Sequence, residues 1–386
     1  MQTFKYRGYF RFPWRDEQHF DLLVDGGKYF PAMLQSIDDA QQYIYLEMYL
    51  IQSGQTASRF IDHLIQASQR GVAVKILLDH YGSYALTEKD RQRLSSNHIS
   101  LQFYNPLRYG ALRKNLFRDH RKLLLIDGIL AYTGGAGITD NFDPRCRPDD
   151  YWHEAIVRIQ GSCVQDWKLL FEANWGRHDH YIEPQLETVR QISDFESHGR
   201  VVEGRTIRSS GIIGSIIMHM RDARKHIWLS SPYFVPSRSI IRTLIRQARK
   251  GVDVRLLLPG PNIDHQWARH MGHYYYERLL VNGVRIFEYQ PRFTHMKLLY
   301  CDQWVSIGST NLDRWNFRWN LEANQEIDDP QFALDVHQTF EQDFEDSHEI
   351  DPLEWRSRSW ITRLKIEFWT FIAKTIDWLS ADDNKP

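Results

Sequence analysis

One eight-residue pattern occurs twice in this 386-residue chain. HRKLLLID spans His120 to Asp127 and HMKLLYCD spans His295 to Asp302, and both read H-x-K-x-x-x-x-D. A Gly-rich turn follows each copy, TGGAG from Thr133 and IGSTN from Ile307. Alternate side chains of a strand share a face, so a His and a Lys two residues apart point into one site. The apolar runs behind them, Leu123 to Ile126 and Leu298 to Tyr300, read as buried strand ends. A single match of this kind arises by chance on the order of 0.05 times in such a chain. Two matches, each with its own glycine turn, point to a duplicated unit.

The flanking sequence repeats in the same order. AQQYIYLEMYLI from Ala40 is echoed by ARKHIWLSSPYFVP from Ala223, and RGVAVKILLD from Arg70 by KGVDVRLLLP from Lys250. NHISLQFYNP from Asn97 returns as NGVRIFEYQP from Asn282. After each motif, HEAIVRI from His153 matches LEANQEI from Leu321, which aligns Glu154 with Glu322. Strands alternate with helical stretches, one expected from Leu22 to Ala40 and another from Ala57 to Gln69, so the class is α/β. The expected organisation is a first lobe over 1–185 with an aromatic N-terminal arm and a second lobe over 201–350. A polar linker lies between Trp175 and Val201, and an amphipathic tail covers 351–386. A pseudo-two-fold axis between the lobes would bring equivalent positions together, so that both His–Lys pairs face one cleft.

The halves differ before their motifs. Thirteen residues separate Pro106 from His120, and they carry Arg108, Arg113, Lys114 and Arg118, with Arg121 and Lys122 extending the run. A basic loop beside the site is expected to gather an anionic substrate. The tail places Trp360, Leu364, Phe368, Phe371, Ile372 and Leu379 near helical spacing among Arg and Lys. Such a helix either lies in a membrane interface or docks on the domain.

Composition narrows the chemistry. A formal charge of −1 argues against nucleic-acid binding through bulk positive charge. Three cysteines at irregular spacing imply neither a disulfide framework nor a zinc site. No run of 18 apolar residues occurs, so no transmembrane helix is expected. Neither G-x-x-x-x-G-K-[ST] nor a strand-borne G-x-G-x-x-G occurs, so nucleotide use has no support. Two His and two Lys suit phosphoryl transfer without a metal: one imidazole attacks phosphorus and the other moves protons. The lysines stabilise the developing charge, and they would repel a metal ion. Glu154 and Glu322, in register at strand ends, are candidates to fix the His tautomers.

The paired motifs with their glycine turns resemble the phospholipase D superfamily. YIYLEMYLI, DHRKLLLIDG, SSPYFVP and GSTNLDRWNFRWNLEAN resemble bacterial cardiolipin synthases in particular. The resemblance implies two tandem phospholipase D-like α/β/α sandwich lobes about a pseudo-two-fold axis, one shared site, a phosphohistidine intermediate and no metal or other cofactor. It implies transfer of a phosphatidyl group, usually from phosphatidylglycerol, to a lipid or polyol alcohol. Hydrolysis by a phospholipase D and nuclease or phosphodiesterase chemistry of the same superfamily are the alternatives. Carried onto this sequence, it places His120, Lys122, Asp127, His295, Lys297 and Asp302 in the catalytic motifs and Glu322 on the downstream carboxylate. Ser309 and Asn311, with Gly135 and Gly137 of the first turn, fall at the phosphate-binding positions. The resemblance implies His120 as nucleophile and His295 as acid/base, an order that the sequence itself does not fix. Gly137 stands where the pattern expects Asn, so one phosphate donor is either missing or replaced by backbone N–H groups. The implied partners are phospholipids, met by peripheral contact at the cytoplasmic face of the cell membrane, and one chain holds a complete site.

Overall fold

The computed structural model describes residues 12–110, 114–176, 197–204, 211–313, 318–360, 364–369 and 371. Two sheets of like topology dominate it. The first contains β1 (His19–Val24), β2 (Tyr43–Met48), β3 (Ala73–Asp79) and β4 (Ser100–Tyr104). A two-residue β5 (Arg118–Asp119), which joins the edge of the second sheet instead, precedes β6 (Lys122–Ile126), β7 (Leu130–Gly134) and β8 (Ala155–Gln160) of the first. Its order is β1-β8-β7-β6-β2-β3-β4. The second contains β9 (His198–Gly204), β10 (His226–Ser230), β11 (Asp253–Pro259), β12 (Arg285–Tyr289), β13 (Leu298–Cys301), β14 (Trp304–Gly308) and β15 (Asn320–Asp328). Its order is β9-β15-β14-β13-β10-β11-β12, with β16 (Ser347–Glu349) added outside β12. Strand for strand the two orders coincide. In each sheet three strands run parallel and the motif-bearing strand joins them antiparallel.

The motif strands show why the apolar runs are continuous. A strand buried on both faces needs apolar side chains at every position. Leu123 and Leu125 of β6 enter a core shared between the sheets, while Leu124 and Ile126 enter the outer core of the first lobe. Leu298 and Tyr300 of β13 enter the same shared core, and Leu299 and Cys301 the outer core of the second lobe. The shared core is filled by α4 (Cys163–Trp175) and α8 (Pro330–Glu345), through Trp167, Phe171, Phe332 and Phe340. Outside the first sheet lie α1 (Gly26–Asp39) and α2 (Gln55–Gln69), beside α3 (Glu88–Ser95). Outside the second lie α5 (Gly211–Asp222), α6 (Arg238–Ala248) and α7 (Gln266–Leu280). The chain therefore packs as two α/β/α sandwiches that share their middle helical layer.

Four expectations need correction or qualification. The first helix does not start at Leu22, which pairs with Val157 as part of β1. Helix α1 starts at Gly26, where a Cβ would come within 2.0 Å of the Phe142 carbonyl oxygen. The described part of the N-terminal arm lies on the second sheet: Phe12 N–H donates to Val201 O at 3.2 Å and Arg15 bridges to Gly199. Phe4, Tyr6, Tyr9 and Phe10 of that arm, and linker residues 177–196, lie outside the described residues. The second sheet begins at His198, ahead of the expected lobe start at 201. Finally, the basic loop keeps part of its charge inside. Arg118 is buried on Asp79 at 3.4 Å, and Arg121 is buried against Glu203 and Glu47. Arg113 lies outside the described residues.

Candidate active site

Each motif histidine sits just before or at the start of the inner strand of its lobe, where the two sheets meet. His120 N–H donates to Leu321 O at 3.0 Å, and His295 N–H donates to His153 O at 2.7 Å. These backbone bonds cross from one lobe to the other. Each places the following residue of the opposite lobe, a glutamate, against the histidine ring. Glu322 of the second lobe meets His120 Nδ1 of the first at 2.9 Å. Glu154 of the first lobe meets His295 Nδ1 of the second at 2.7 Å. The carboxylates in register therefore serve the histidines crosswise, which the linear repeat did not specify. With each Nδ1 held from behind, each Nε2 is the nitrogen left to act. Both imidazoles line one cavity of about 870 Å³, with Lys122, Asn311, Tyr49 and Trp152 among its walls.

Both lysines are buried beside the histidines, and Lys122 lines the cavity. Lys122 Nζ donates to His120 O at 2.6 Å and lies 5.1 Å above the Tyr49 ring. Lys297 Nζ donates to Glu154 Oε2 at 3.4 Å and lies 2.9 Å from His295 Nδ1. Burial brings the Lys122 ammonium down to about 7, helped by the charge of Lys297 and opposed by Glu322. Burial also lowers Lys297, with Glu154 opposing. The His120 imidazole is pushed below its ordinary value by burial, with Glu322 opposing. His295 falls well below, through burial and then the charges of Lys297 and Lys122. Burial raises the Glu154 carboxyl to about 7 against the pull of Lys297. Near neutral pH the site thus holds uncharged imidazoles, and the Lys122 ammonium is close to losing its proton.

The glycine turns differ in a way that matches their sequences. Ser309 does not line the cavity. Its hydroxyl donates to Glu322 and accepts from Ala323 N–H at 3.1 Å, so it braces the carboxylate behind His120. Gly135 occupies the matching place behind Glu154, where a Cβ would meet Glu154 Oε2 at 2.1 Å and Lys297 Nζ at 2.8 Å. Glycine suits that place because the Glu154 carboxylate, with the lysine beside it, takes the space a side chain would fill. Asn311 lines the cavity, and its Oδ1 has no hydrogen-bond partner among the described residues. Gly137 is closed off by Leu50, whose carbonyl oxygen would lie 2.7 Å from a Cβ. The amide donor therefore exists on the second-lobe side alone of these two positions.

The motif aspartates are not at the site. Five residue steps, about 16 Å at strand rise, take the chain from Lys122 to Asp127. Asp127 turns the β6–β7 hairpin at φ 53° and accepts backbone N–H groups from Gln41, Gln42 and Tyr43, each at 2.8 Å. Asp302 does the same at φ 57° for Arg224, Lys225 and His226. Each satisfies the chain entering the neighbouring inner strand, at the end opposite the cavity. The expected catalytic role for Asp127 and Asp302 is replaced by this structural one.

His153 was missed by the reading of the sequence. It is fully buried between lobes, its Nδ1 at 2.8 Å from Asp25 Oδ1 and its Nε2 at 3.1 Å from Asp343 Oδ1. Both partners are carboxylates, so both ring nitrogens donate. Arg292 joins Asp25 at 2.5 Å. Asp25 N–H donates to Glu154 O at 2.8 Å, and Asp25 Oδ1 accepts from Glu154 N–H at 3.3 Å. This cluster clamps the backbone of the glutamate that holds His295. Its counterpart in the second repeat is Leu321, so repeat logic passed over it. Tyr233 and Asp264, joined by a 2.6 Å hydrogen bond at the cavity wall, and Trp369 of the tail come from segments outside the motifs.

Two equivalent lobes with crossed His–Glu pairs at one cavity define an enzyme of the phospholipase D type. A family model described as "Cardiolipin synthase, PLD-like domain" matches residues 33–175 and again 216–344. The chain belongs to this cardiolipin synthase family and is a phosphatidyltransferase of the phospholipase D superfamily. It is 28% identical over 358 residues to the probable cardiolipin synthase YwiE of Bacillus subtilis (strain 168), covering 91% of this chain and 71% of the relative. Identity to cardiolipin synthase 2 of Bacillus anthracis is 30% over 334 residues, covering 85% and 65%. The fold is similar to the crystal structure of phosphatidylserine synthase from Haemophilus influenzae Rd KW20, with a TM-score of 0.71 at 14% identity over 94% of both chains.

Proposed function

We propose that the chain transfers a phosphatidyl group from phosphatidylglycerol to a hydroxyl of a second lipid or polyol, by two displacements at phosphorus. His120 Nε2 attacks the phosphodiester while Glu322 holds the proton on Nδ1. The P–O bond to glycerol breaks, and the His295–Glu154 pair supplies the proton that the leaving oxygen needs. The acceptor hydroxyl then gives its proton back to that pair as its oxygen attacks phosphorus and the P–N bond to His120 breaks. Lys122, Lys297 and Asn311 offset the negative charge on the non-bridging oxygens in both steps. No proton is gained or lost over the cycle, and microscopic reversibility makes one residue acid and then base.

The observation that carries this reading is the crossed pairing: two imidazoles, each with Nδ1 against a carboxylate of the other lobe, line one cavity. The apolar part of the wall, with Tyr49, Leu50, Trp152, Val235 and Met271, suits acyl-bearing substrates. Contact with a membrane follows from a substrate that resides there, and we place it at the cytoplasmic face. The test is purified protein with labelled phosphatidylglycerol, products resolved by mass spectrometry, with and without glycerol and in the presence of chelator. The expected products are cardiolipin and glycerol, with chelator making no difference. Phosphatidic acid as the sole product would reassign the chain to hydrolysis. Loss of activity in chelator, restored by a divalent ion, would overturn the metal-free mechanism. His120→Ala and His295→Ala should each lower turnover by roughly three orders of magnitude or more.

A further inference from the structure

Residues 364–369 and 371 of the C-terminal tail are helical, and apolar side chains occupy two sides of that helix. Trp369 lines the catalytic cavity, and Ile366, three residues earlier, is 3% exposed. On the other side Leu364, Phe368 and Phe371 are 58%, 57% and 69% exposed. Their spacing of four and three residues makes one outward stripe, and Trp360, 70% exposed, stands one turn before it. A helix docked on a protein in water turns its apolar stripe inward and its polar side outward. This one turns apolar residues both ways. Exposed Lys365 and Glu367 flank the stripe, Arg356 precedes it, and exposed Trp267 stands at the cavity wall. Aromatic and aliphatic groups bordered by charged side chains match the boundary of a bilayer.

We propose that this stripe docks on an anionic phospholipid bilayer and that the same helix is a lid on the catalytic cavity. Docking draws the helix toward lipid, withdraws Trp369 from the cavity wall and opens the two-histidine site to phospholipids of that bilayer. The coupling arises because the outward stripe and Trp369 belong to one short helix and cannot move apart. It rests on the reading of the cavity as a phospholipid site. A bilayer is the occupant because the cavity whose wall Trp369 helps to form takes its substrate from one, and because the exposed stripe is aromatic and aliphatic and continues from that wall.

The experiment uses the full chain and two variants. One carries Leu364→Ser, Phe368→Ser and Phe371→Ser together; the other carries Trp369→Ala. Binding is read by co-sedimentation with vesicles of phosphatidylglycerol and phosphatidylcholine. Turnover is read on the same vesicles and on short-chain phosphatidylglycerol dispersed as monomers. The stripe variant is expected to bind vesicles roughly a hundredfold more weakly and to keep the native rate on monomers. Trp369→Ala is expected to raise the monomer rate, and so to shrink the ratio of vesicle to monomer turnover. Native vesicle binding and turnover by the stripe variant would overturn the docking surface. So would loss of self-association in that variant with vesicle binding unchanged, which would assign the stripe to a second copy. An unchanged turnover ratio in Trp369→Ala would overturn the lid. Failure of the native chain to turn over either form would instead sink the substrate reading, while sedimentation still judges the docking surface.

Discussion

At the scale of single residues the site is governed by burial. Lys122 and Glu154 both titrate near 7, and both lose a proton as pH rises. Loss from Lys122 removes a positive charge from the phosphate site, and loss from Glu154 removes the proton the His295 pair would deliver. Both effects lower turnover, so kcat/KM should fall with rising pH on a limb centred near 7. A pH–rate profile checks this. In Glu154→Gln the limb should become shallower, because Lys122 alone remains to titrate. A limb beyond pH 9 in the native enzyme would contradict the assignment. His153 carries a different dependence. Despite burial, Asp343 and Asp25 push its imidazole up to about 10. A folded-state value raised above the ordinary 6.5 stabilises the fold fully below that ordinary value, and the gain is lost as pH rises through about 10. His153→Gln leaves two buried carboxylates facing a single Arg292 and should cost about 3 kcal/mol of stability. Denaturant titration at pH 6 and pH 10 should show a large gap between native and variant at the lower pH and a smaller one at the higher. An equal gap at both would show that its charge does not matter.

At the scale of elements the repeated strands carry both the site and its legibility. The H-x-K spacing was readable because each motif strand is buried on both faces and admits polar groups at its open end alone. The carboxylates were readable because they recur in register. That they cross between lobes was not, since register states which positions are equivalent and says nothing of which partner each one meets. The aspartates recur equally well, yet they close the far hairpins. Recurrence marks what the duplicated fold needs, and a hairpin acceptor is as necessary to it as a catalytic group. Asp127→Ala should therefore cost about 2–3 kcal/mol, three backbone N–H groups losing their acceptor. Turnover per folded molecule should be unchanged. Thermal unfolding together with active-site titration checks this; a hundredfold drop in turnover at native stability would return Asp127 to the chemistry. Ser309 shows the reverse error. Its place in the glycine turn suggested phosphate binding, whereas its hydroxyl is taken by Glu322.

At the scale of the whole molecule, neither lobe holds a working histidine. The imidazole comes from one sheet and the carboxylate that orients it from the other, for both pairs. Packing of the two sheets over α4 and α8 therefore sets the tautomers, and the His153 cluster stiffens one of the two crossings. The other crossing has Leu321 in that place and relies instead on the pairing of β5 with β15 and on Ser309 behind Glu322. The two-lobed architecture followed from the ordered repeats, but this asymmetry did not, because it resides in residues that the repeats do not share. It gives the histidines different surroundings: His120 has a hydroxyl-braced carboxylate, and His295 has a carboxylate shared with Lys297. We read this difference as support for the proposed division of labour, with attack by His120 and proton transfer by His295. The most direct measurement is rapid quenching of His295→Asn with labelled phosphatidylglycerol, followed by peptide mass spectrometry. A phosphatidyl group trapped on the peptide containing His120 is the expected result. A group trapped elsewhere, or undiminished product formation with no adduct, would contradict the account.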